Sequence, residues 1–560
     1  MRKTYILILA LAMAMTAFAQ PEGMRPLHVE GNQLVDDGGQ VHVLHGVMDT
    51  PSPYFNNYRW GNACNTSTVA ACREYFTKLF TAITDNSQGA YCNLFRLHLD
   101  PCWTNDPNLP SDGKESGEAD ISRFSETRLT TLMSTLYFPI ARSAIGKGLY
   151  VIMRPPGVCP QNLKVGDYYQ DYLIKVWDIV TKNTNVRKDS YSGYLSIELA
   201  NEPVNVTNAD GTVTDNTLRD YFQPVVDKIR ANGFKGIIWV PGSGWQSNYR
   251  SYAKVPVTDP LDNFGYAVHD YPGWYSSSDD NPNYQYVCAK FKESVPVVMD
   301  RPIVITEVDW SPEVEGKGHY NEHGDWVPGN MGTWATATTS SWGRGFKAMK
   351  DYFGNISMTL SGTAGYIDID TYINEGRVVP AFNGDGEACA QACFDWYADY
   401  ASRQPIVQDG LKELASPVET LVMAPGEKAK LTVEFVCNNG SRWDVALICR
   451  NAVMNTNIAK ISGDSITALK EGKTELRFSI TDKNGTTKML KLPLVVTSAD
   501  AVNAVFDGSQ PVVSVSEFGL DGRKRGASGA GLTIRIEKRP TELAGLSKNI
   551  VNLPKNSKFT

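Results

Sequence analysis

Histidine is scarce in this chain, with seven among 560 residues, and no Cys/His spacing matches the ligand pattern of a zinc site. No metal is therefore expected. No glycine-rich GxGxxG run follows any strand-like segment, so nothing marks a dinucleotide site, and no cofactor is expected either. Neither sign of charge is in large excess. The 54 basic and 61 acidic residues leave a net charge of −7, which argues against a nucleic-acid partner and suits a neutral ligand. Beyond the N-terminus no apolar run is long enough to cross a bilayer. Cysteine is present, ten in all, and an even number is compatible with full pairing in an exported protein, although sequence alone assigns no partners. Cys64/Cys72 and Cys389/Cys393 are close in sequence, and Cys437 and Cys449 share one β-rich segment.

The first residues carry an export pattern. Arg2 and Lys3 precede an apolar stretch over 5–14, and Ala17-Phe18-Ala19 precedes Gln20, as in a signal peptide over 1–19 cleaved near Ala19/Gln20. The mature protein is expected to be secreted, whether extracellular, at the cell surface or periplasmic. A chain of this length is too long for one ordinary core, so two or three domains are expected.

From about 40 to 400, strand-like runs alternate with amphipathic helical stretches. The strand candidates lie at 41–47, 92–99, 150–153, 194–200, 236–240, 265–268 and 303–308, with an eighth somewhere between 357 and 370. A helix over 217–232 shows Leu218, Phe222, Val225, Val226 and Ile229 as one apolar stripe, and Pro224 inside it predicts a kink or a later start. Repeated strand–helix alternation means a parallel sheet, and eight units favour an α/β fold closed as a (β/α)8 TIM barrel over about 20–411. After about 412 the pattern changes to short strands divided by Pro425-Gly426, Asn439-Gly440 and Asn484-Gly485, which predicts a small β-sandwich over 412–500. The last piece, 501–560, is a tail. Its final forty residues hold nine Lys/Arg against three Asp/Glu, a net +6.

Two motifs stand out. In "YLSIELANEPV", 194–204, strand alternation places Ser196, Glu198, Ala200 and Glu202 on one side, with Glu202 at the C-terminal mouth of a barrel strand. In "RPIVITEVDW", 301–310, Ile303, Ile305 and Glu307 share a face, so Glu307 also reaches a strand mouth. Two carboxylates at the mouths of different strands can converge on one glycosidic bond. A separation of about 5–5.5 Å gives retention through a covalent glycosyl-enzyme, and about 6.5–9.5 Å gives inversion through water. "LFRLHLD" turns Arg96, His98 and Asp100 one way, and "AVHDY" does the same for His269 and Tyr271. Trp103, Trp245, Trp274 and Trp310 follow four of the strands and offer apolar faces on which a sugar ring stacks.

"IELANEP" followed, 105 residues later, by "ITE" resembles the retaining (β/α)8-barrel glycosidases, specifically glycoside hydrolase family 5. The resemblance covers about 40–400. It implies that Glu202 is the catalytic acid/base and Glu307 the nucleophile, that Arg96 hydrogen-bonds the nucleophile, and that Asn201 binds the sugar 2-hydroxyl. It further implies that Tyr271 touches the nucleophile and His269 the acid/base region. Arg96 also fits an interior ion pair with Glu198, His269 and Tyr271 an interior polar pair, and His98 and Asp100 either a supporting or a sugar-binding place. This chain departs from the family pattern in carrying Arg154 and Pro156 on strand three and Val308-Asp309-Trp310 after the nucleophile, and in lacking a clear tryptophan after strand eight, where only Tyr366 and Tyr372 lie near. The segment over 425–480, with "ISGDSITALKEGKTELRFSI", resembles the bacterial Ig-like group 2 module, and "VSVSEFGLDGRKR" resembles C-terminal sorting domains of Bacteroidetes secreted proteins. The implied activity is a retaining endo-β-glycanase on a β-1,4-linked polysaccharide, a glucan first, with β-mannan and xyloglucan as alternatives. A catalytically silent glycan-binding protein on the same barrel is the reading from a different class. A monomer whose partner is the polysaccharide is expected.

Overall fold

The computed structural model describes residues 24–271, 274–276, 284–308, 341–362, 366–381, 390–403, 405 and 407–497. It also describes short strand pieces at 314–315, 319–320, 326–327, 330–331, 516–519 and 533–536. The segment 1–19, expected to be a signal peptide, lies outside these residues, as do Trp310, Cys389 and most of the tail. Contacts divide the chain into one unit reaching residue 405 and a second from 406 onward that also takes in 282–286.

The first unit is a closed parallel barrel. Its strands are β1 His45–Asp49, β2 Leu94–His98, β3 Tyr150–Arg154, β4 Leu195–Glu198, β5 Ile238–Pro241, β6 Phe264–Asp270, β7 Ile303–Val308 and β8 Ile356–Leu360. Each pairs with its neighbour in chain order, and β8 closes on β1. The eighth strand, which the sequence places only within a window, is thereby fixed. The first starts later than the apolar run suggests. Val41–His42 instead joins Gln33–Asp36 and Leu27–Glu30 in a three-stranded antiparallel sheet. The Asp36 carboxylate holds that turn, accepting from the backbone N–H of Gly38 and Gln40 and meeting His42 Nε2 at 2.9 Å.

Around the barrel stand α1 Val69–Ile83, α2 Phe138–Ile145, α3 Tyr168–Lys182, α4 Thr217–Ala231, α5 Tyr284–Ser294, α6 Ser341–Phe353 and α7 Ala390–Ser402. The β5–β6 connection has no such helix, only a short turn at Ser243–Gln246. Period-two alternation on β2 sends Phe95 outward, where its ring packs against Phe76 and Phe80 of α1 at 6.0 and 4.8 Å between centroids. Arg96 and His98 are thereby left to face inward. Fully burying side chains of this size contributes about 1.5–3 kcal/mol each, and α1 buries Phe76, Leu79, Phe80 and Ile83 completely.

Helix α4 runs through Pro224 without a later start. Proline cannot donate to the carbonyl four residues back, and here that carbonyl, on Asp220, accepts instead from Gln170 Nε2 of α3 at 3.1 Å. A disulfide joins Cys64 to Cys102, linking the segments that follow β1 and β2. Cys72, close to Cys64 in sequence, is buried and unpaired, as are Cys393, Cys437 and Cys449.

From 407 onward the described residues of the second unit hold strands and no helix. Three small sheets lie between Leu411 and Val496, one of them built on the long hairpin Gly472–Thr481 and Thr487–Val496, and Ser516–Gly519 pairs with Thr533–Ile536 as a separate two-stranded piece. At the hairpin's turn the Asp482 carboxylate accepts from the backbone N–H of Asn484 and Thr486 and also from Leu411. Phe435, Ile466, Leu476, Phe478, Ile480 and Leu494 fill the interior. Among the described residues no helix is long and apolar enough to cross a membrane.

Candidate active site

The mouth of the barrel, at the C-terminal ends of its strands, gathers the polar side chains. Arg96 is fully buried at the centre. Its Nε donates to Glu198 Oε2 at 2.6 Å and its Nη2 to Glu198 Oε1 at 3.0 Å, while Nη1 reaches Glu307 Oε1 at 2.7 Å and Nη2 also reaches Asn201 Oδ1 at 2.7 Å. The interior ion pair with Glu198 and the contact with Glu307 therefore exist together. Glu198 also accepts from Gln246 Nε2 and from Thr306 Oγ1, each at 3.0 Å. With four donors on one buried carboxylate, Glu198 is a satisfied anion that fixes the guanidinium.

Glu307 does not reach this network by simple alternation. Thr306 and Glu307 are consecutive, yet both touch it, which a regular strand forbids. The β6–β7 register slips by one residue between Val268 and His269, so that His269 pairs with Glu307. Such a bulge re-aims a side chain at the end of a strand. Ile303, Ile305 and Glu307 consequently do not form the single face that the sequence predicts.

Glu202 is likewise not on its strand. β4 ends at Glu198, and Glu202 sits beyond it with φ 57°, in the left-handed region that a non-glycine residue rarely adopts. Its backbone N–H donates to Gln246 Oε1 at 2.7 Å, and Gln246 is anchored through Nε2 to Glu198 and to the carbonyl of Ala267. Gln246 therefore ties the backbone of Glu202 to the buried ion pair. Nothing in its local sequence marks it. It comes from the β5 turn, where Gly244, Trp245 and Gln246 all have positive φ.

The two glutamates face each other. His269 Nδ1 lies 3.1 Å from Glu202 Oε1 and 3.6 Å from Glu307 Oε2. Facing two carboxylates, Nδ1 is assigned the ring proton. Tyr271 donates its hydroxyl to Glu307 Oε2 at 2.8 Å. One ligand atom from each of Glu202, His269 and Glu307 lies within 4.8 Å of the other two.

Electrostatics separates the pair. Burial pushes the Glu307 carboxyl up, but His269, Arg96 and Arg154 outweigh it and hold it at about 2. Its side chain is 12% exposed against 23% for Glu202, so Glu307 is the deeper of the two.

His98 is buried, its Nδ1 accepting from Arg154 Nη2 at 2.8 Å. Burial, with the charges of Arg154 and Arg96, keeps it well below the usual imidazole range and therefore neutral. Arg154 also donates to the carbonyl of Gly157 at 2.6 Å and pairs with Glu118. That pairing uses a residue from the long β2–α2 connection and explains how a cation is tolerated on strand three. Asp100 caps the short helix Pro101–Thr104, accepting from Cys102 N–H, and burial raises its carboxyl to about 6.

The tryptophans divide. Trp103 is fully buried and donates to the carbonyl of Pro51, so it is loop packing and offers no sugar face. Trp245 is 48% exposed. Trp274 is half-buried and meets Tyr271 edge-on at 5.4 Å. Tyr366 is fully buried, stacked on Phe394. The sequence reading overlooked Tyr54, Phe55 and Tyr58, which are 71, 52 and 52% exposed on the turn after β1. Three aromatics in five residues at a strand mouth were the available signal.

No curated protein matches this chain. Among solved structures, it is similar to a beta-glucanase of Saccharophagus degradans (18% identity over 68% of this chain and 94% of that one, TM-score 0.42). It is also similar to the catalytic domain of an endoglucanase of Thermobifida fusca (16%, 68% and 97%, TM-score 0.40) and of a mannanase from a Streptomyces species (14%, 67% and 93%, TM-score 0.36). Residues 137–336, which contain both Glu202 and Glu307, match the family model for cellulase (glycosyl hydrolase family 5).

Proposed function

We propose that this protein is a retaining endo-β-glycanase that hydrolyses β-1,4-linked polysaccharide, with glucan as the first substrate to test. The observation that carries this reading is the facing pair: oxygens of Glu202 and Glu307 within 4.8 Å of each other. Oxygens this close are compatible with the about 5–5.5 Å carboxyl separation of double-displacement glycosidases. The family match over 137–336 supports the same chemistry.

In the first step Glu307, ionised and held by Arg96 and Tyr271, attacks the anomeric carbon while Glu202 protonates the leaving oxygen. A glycosyl ester forms on Glu307 and the leaving chain departs. In the second step Glu202, now a carboxylate, takes a proton from water, which attacks the same carbon and restores Glu307. His269 lies within reach of both carboxylates. The Asn201 amide, oriented by Arg96, is placed to bind the sugar 2-hydroxyl.

The β-rich second unit is read as an Ig-like spacer. Its lone tryptophan, Trp443, stacks on Phe435 with centroids 3.9 Å apart and so is engaged in packing. The N-terminal pattern supports secretion, and the chain is read as a monomer.

The test is reducing-sugar release from cellulose, mixed-linkage glucan, β-mannan and xyloglucan, with the anomer of the first product followed by NMR. Release with the β-anomer formed first is expected. An α-anomer first would overturn retention. Binding without release from any polymer would favour the silent glycan-binding protein. Glu307→Gln should abolish turnover in a folded protein, and substantial residual activity would place the nucleophile elsewhere.

A further inference from the structure

Two stretches of left-handed backbone lie against each other at the mouth of the barrel. Glu202 is one of them. The other is the turn after β5, where Gly244, Trp245 and Gln246 have φ of 60°, 56° and 58° in succession. Left-handed backbone is unfavourable at residues other than glycine and persists only where the surroundings over-determine it. Here each stretch holds the other. The backbone N–H of Trp245 donates to the carbonyl of Pro203 and that of Gly244 to the carbonyl of Val204, each at 3.0 Å. In return the backbone N–H of Glu202 donates to Gln246 Oε1 at 2.7 Å.

The Gln246 side chain is fully buried, and both ends of its amide are committed. Nε2 donates to Glu198 Oε1 at 3.0 Å and to the carbonyl of Ala267 on β6 at 3.1 Å. A turned-over amide would lose all three bonds and set its N–H groups against the N–H of Glu202, so only one orientation fits. Glu198 in turn binds Arg96, whose Nη1 reaches Glu307. A single amide thus sets the backbone of Glu202 against the network that holds Glu307.

We infer that Gln246 is the positioning residue of the acid/base: it fixes where the Glu202 carboxyl stands and acts on proton transfer alone. Being fully buried, it does not touch the sugar. The inference rests on the glycosidase reading above. In that reaction Glu202 gives its proton to the glycosidic oxygen as the C–O bond breaks, and later takes one from the attacking water. Proton transfer requires hydrogen-bond reach, and a misplacement of about 1 Å costs on the order of a hundredfold. The cost depends on the leaving group. A dinitrophenolate departs without a proton, whereas a sugar alkoxide does not.

The test compares kcat/KM on dinitrophenyl β-cellobioside and on cellotetraose, with the corresponding mannosides alongside. Gln246→Met removes both amide functions at similar length. Gln246→Asn keeps the amide and suits left-handed backbone, but draws the carbonyl back by one carbon–carbon bond. Both variants should lower kcat/KM on the tetrasaccharide by about a hundredfold and keep the dinitrophenyl glycoside within about twofold of the parent. The ratio of the two values cancels any loss of folded protein. Thr306→Val deletes another donor to the same Glu198 oxygen without touching Glu202, and should leave that ratio at the parent's value. A ratio unchanged in both Gln246 variants would overturn the inference. So would an equal change in Thr306→Val, because the effect would then run through Glu198. A parent enzyme that cuts none of these substrates would overturn the glycosidase reading, and this inference with it.

Discussion

Arg96 and Glu307 meet at 2.7 Å from strands on opposite parts of the barrel, β2 and β7, and the same guanidinium grips Glu198 of β4 through two further hydrogen bonds. One cation thus sets the charge of the deeper glutamate and joins three strands. Removing it would take from Glu198 its salt-bridge partner and from Glu307 one of the three cationic groups that hold it ionised. Loss of one partner from a buried ion pair costs about 3–5 kcal/mol, so Arg96→Met should lower stability by about that amount in chemical denaturation. A loss below about 1 kcal/mol would show that Glu198 and Glu307 do not depend on it.

The pH response of Glu307 follows from its low carboxyl value. In the unfolded chain a glutamate titrates near about 4.3; in the fold Glu307 is held at about 2. The folded value is the lower one, so this residue contributes stability that is fully present above the unfolded value and is lost as pH falls toward about 2. The Tm difference between the parent and Glu307→Gln should therefore shift against the parent as pH drops from about 5 to about 2. A difference that stays constant across that window would mean the carboxylate is not stabilised in its charged form.

Tyr271→Phe deletes a single hydroxyl, the donor to Glu307 Oε2 at 2.8 Å. Loss of a hydrogen bond to a charged group costs roughly 1.5–3 kcal/mol, on the order of tenfold to a hundredfold in kcat. KM should change little if Glu307 is the nucleophile proposed above, because the bond is then to the attacking group and not to the sugar. A change confined to KM would place Tyr271 in substrate binding instead.

Gly46 on β1 tests the packing of the barrel wall. A Cβ there would sit 1.7 Å from the carbonyl oxygen of Leu94 on β2, so even alanine forces the two strands apart. Gly46→Ala should cost more than about 3 kcal/mol or prevent soluble expression. Gly211→Ala is the control: its φ is +85° but nothing lies within 4 Å of the added Cβ, and only the backbone cost of roughly 1 kcal/mol is expected. Equal losses for the two would refute the close-approach argument.

The sequence by itself determined the barrel, since strand–helix alternation and a period-two pattern depend only on neighbouring residues. It also singled out Glu202 and Glu307 as glutamates at strand mouths, and the family resemblance pointed to Arg96, His269 and Tyr271. Alternation holds where strands are regular, and so it orients Arg96 and Phe95 to opposite sides of β2. It fails where the backbone is irregular. The bulge beside Glu307 and the left-handed φ of Glu202 arise from pairing and packing between segments far apart in the chain, and no local pattern encodes them. For the same reason Gln246, Thr306 and Glu118 were not legible: each acts on a residue from a different strand. Cys64 pairs with Cys102 and not with its sequence neighbour Cys72, because only the fold brings the loops after β1 and β2 together. The identity of the two glutamates was a property of the chain; the gap between them was set by the closure of eight strands, because only that closure brings the ends of β4 and β7 together.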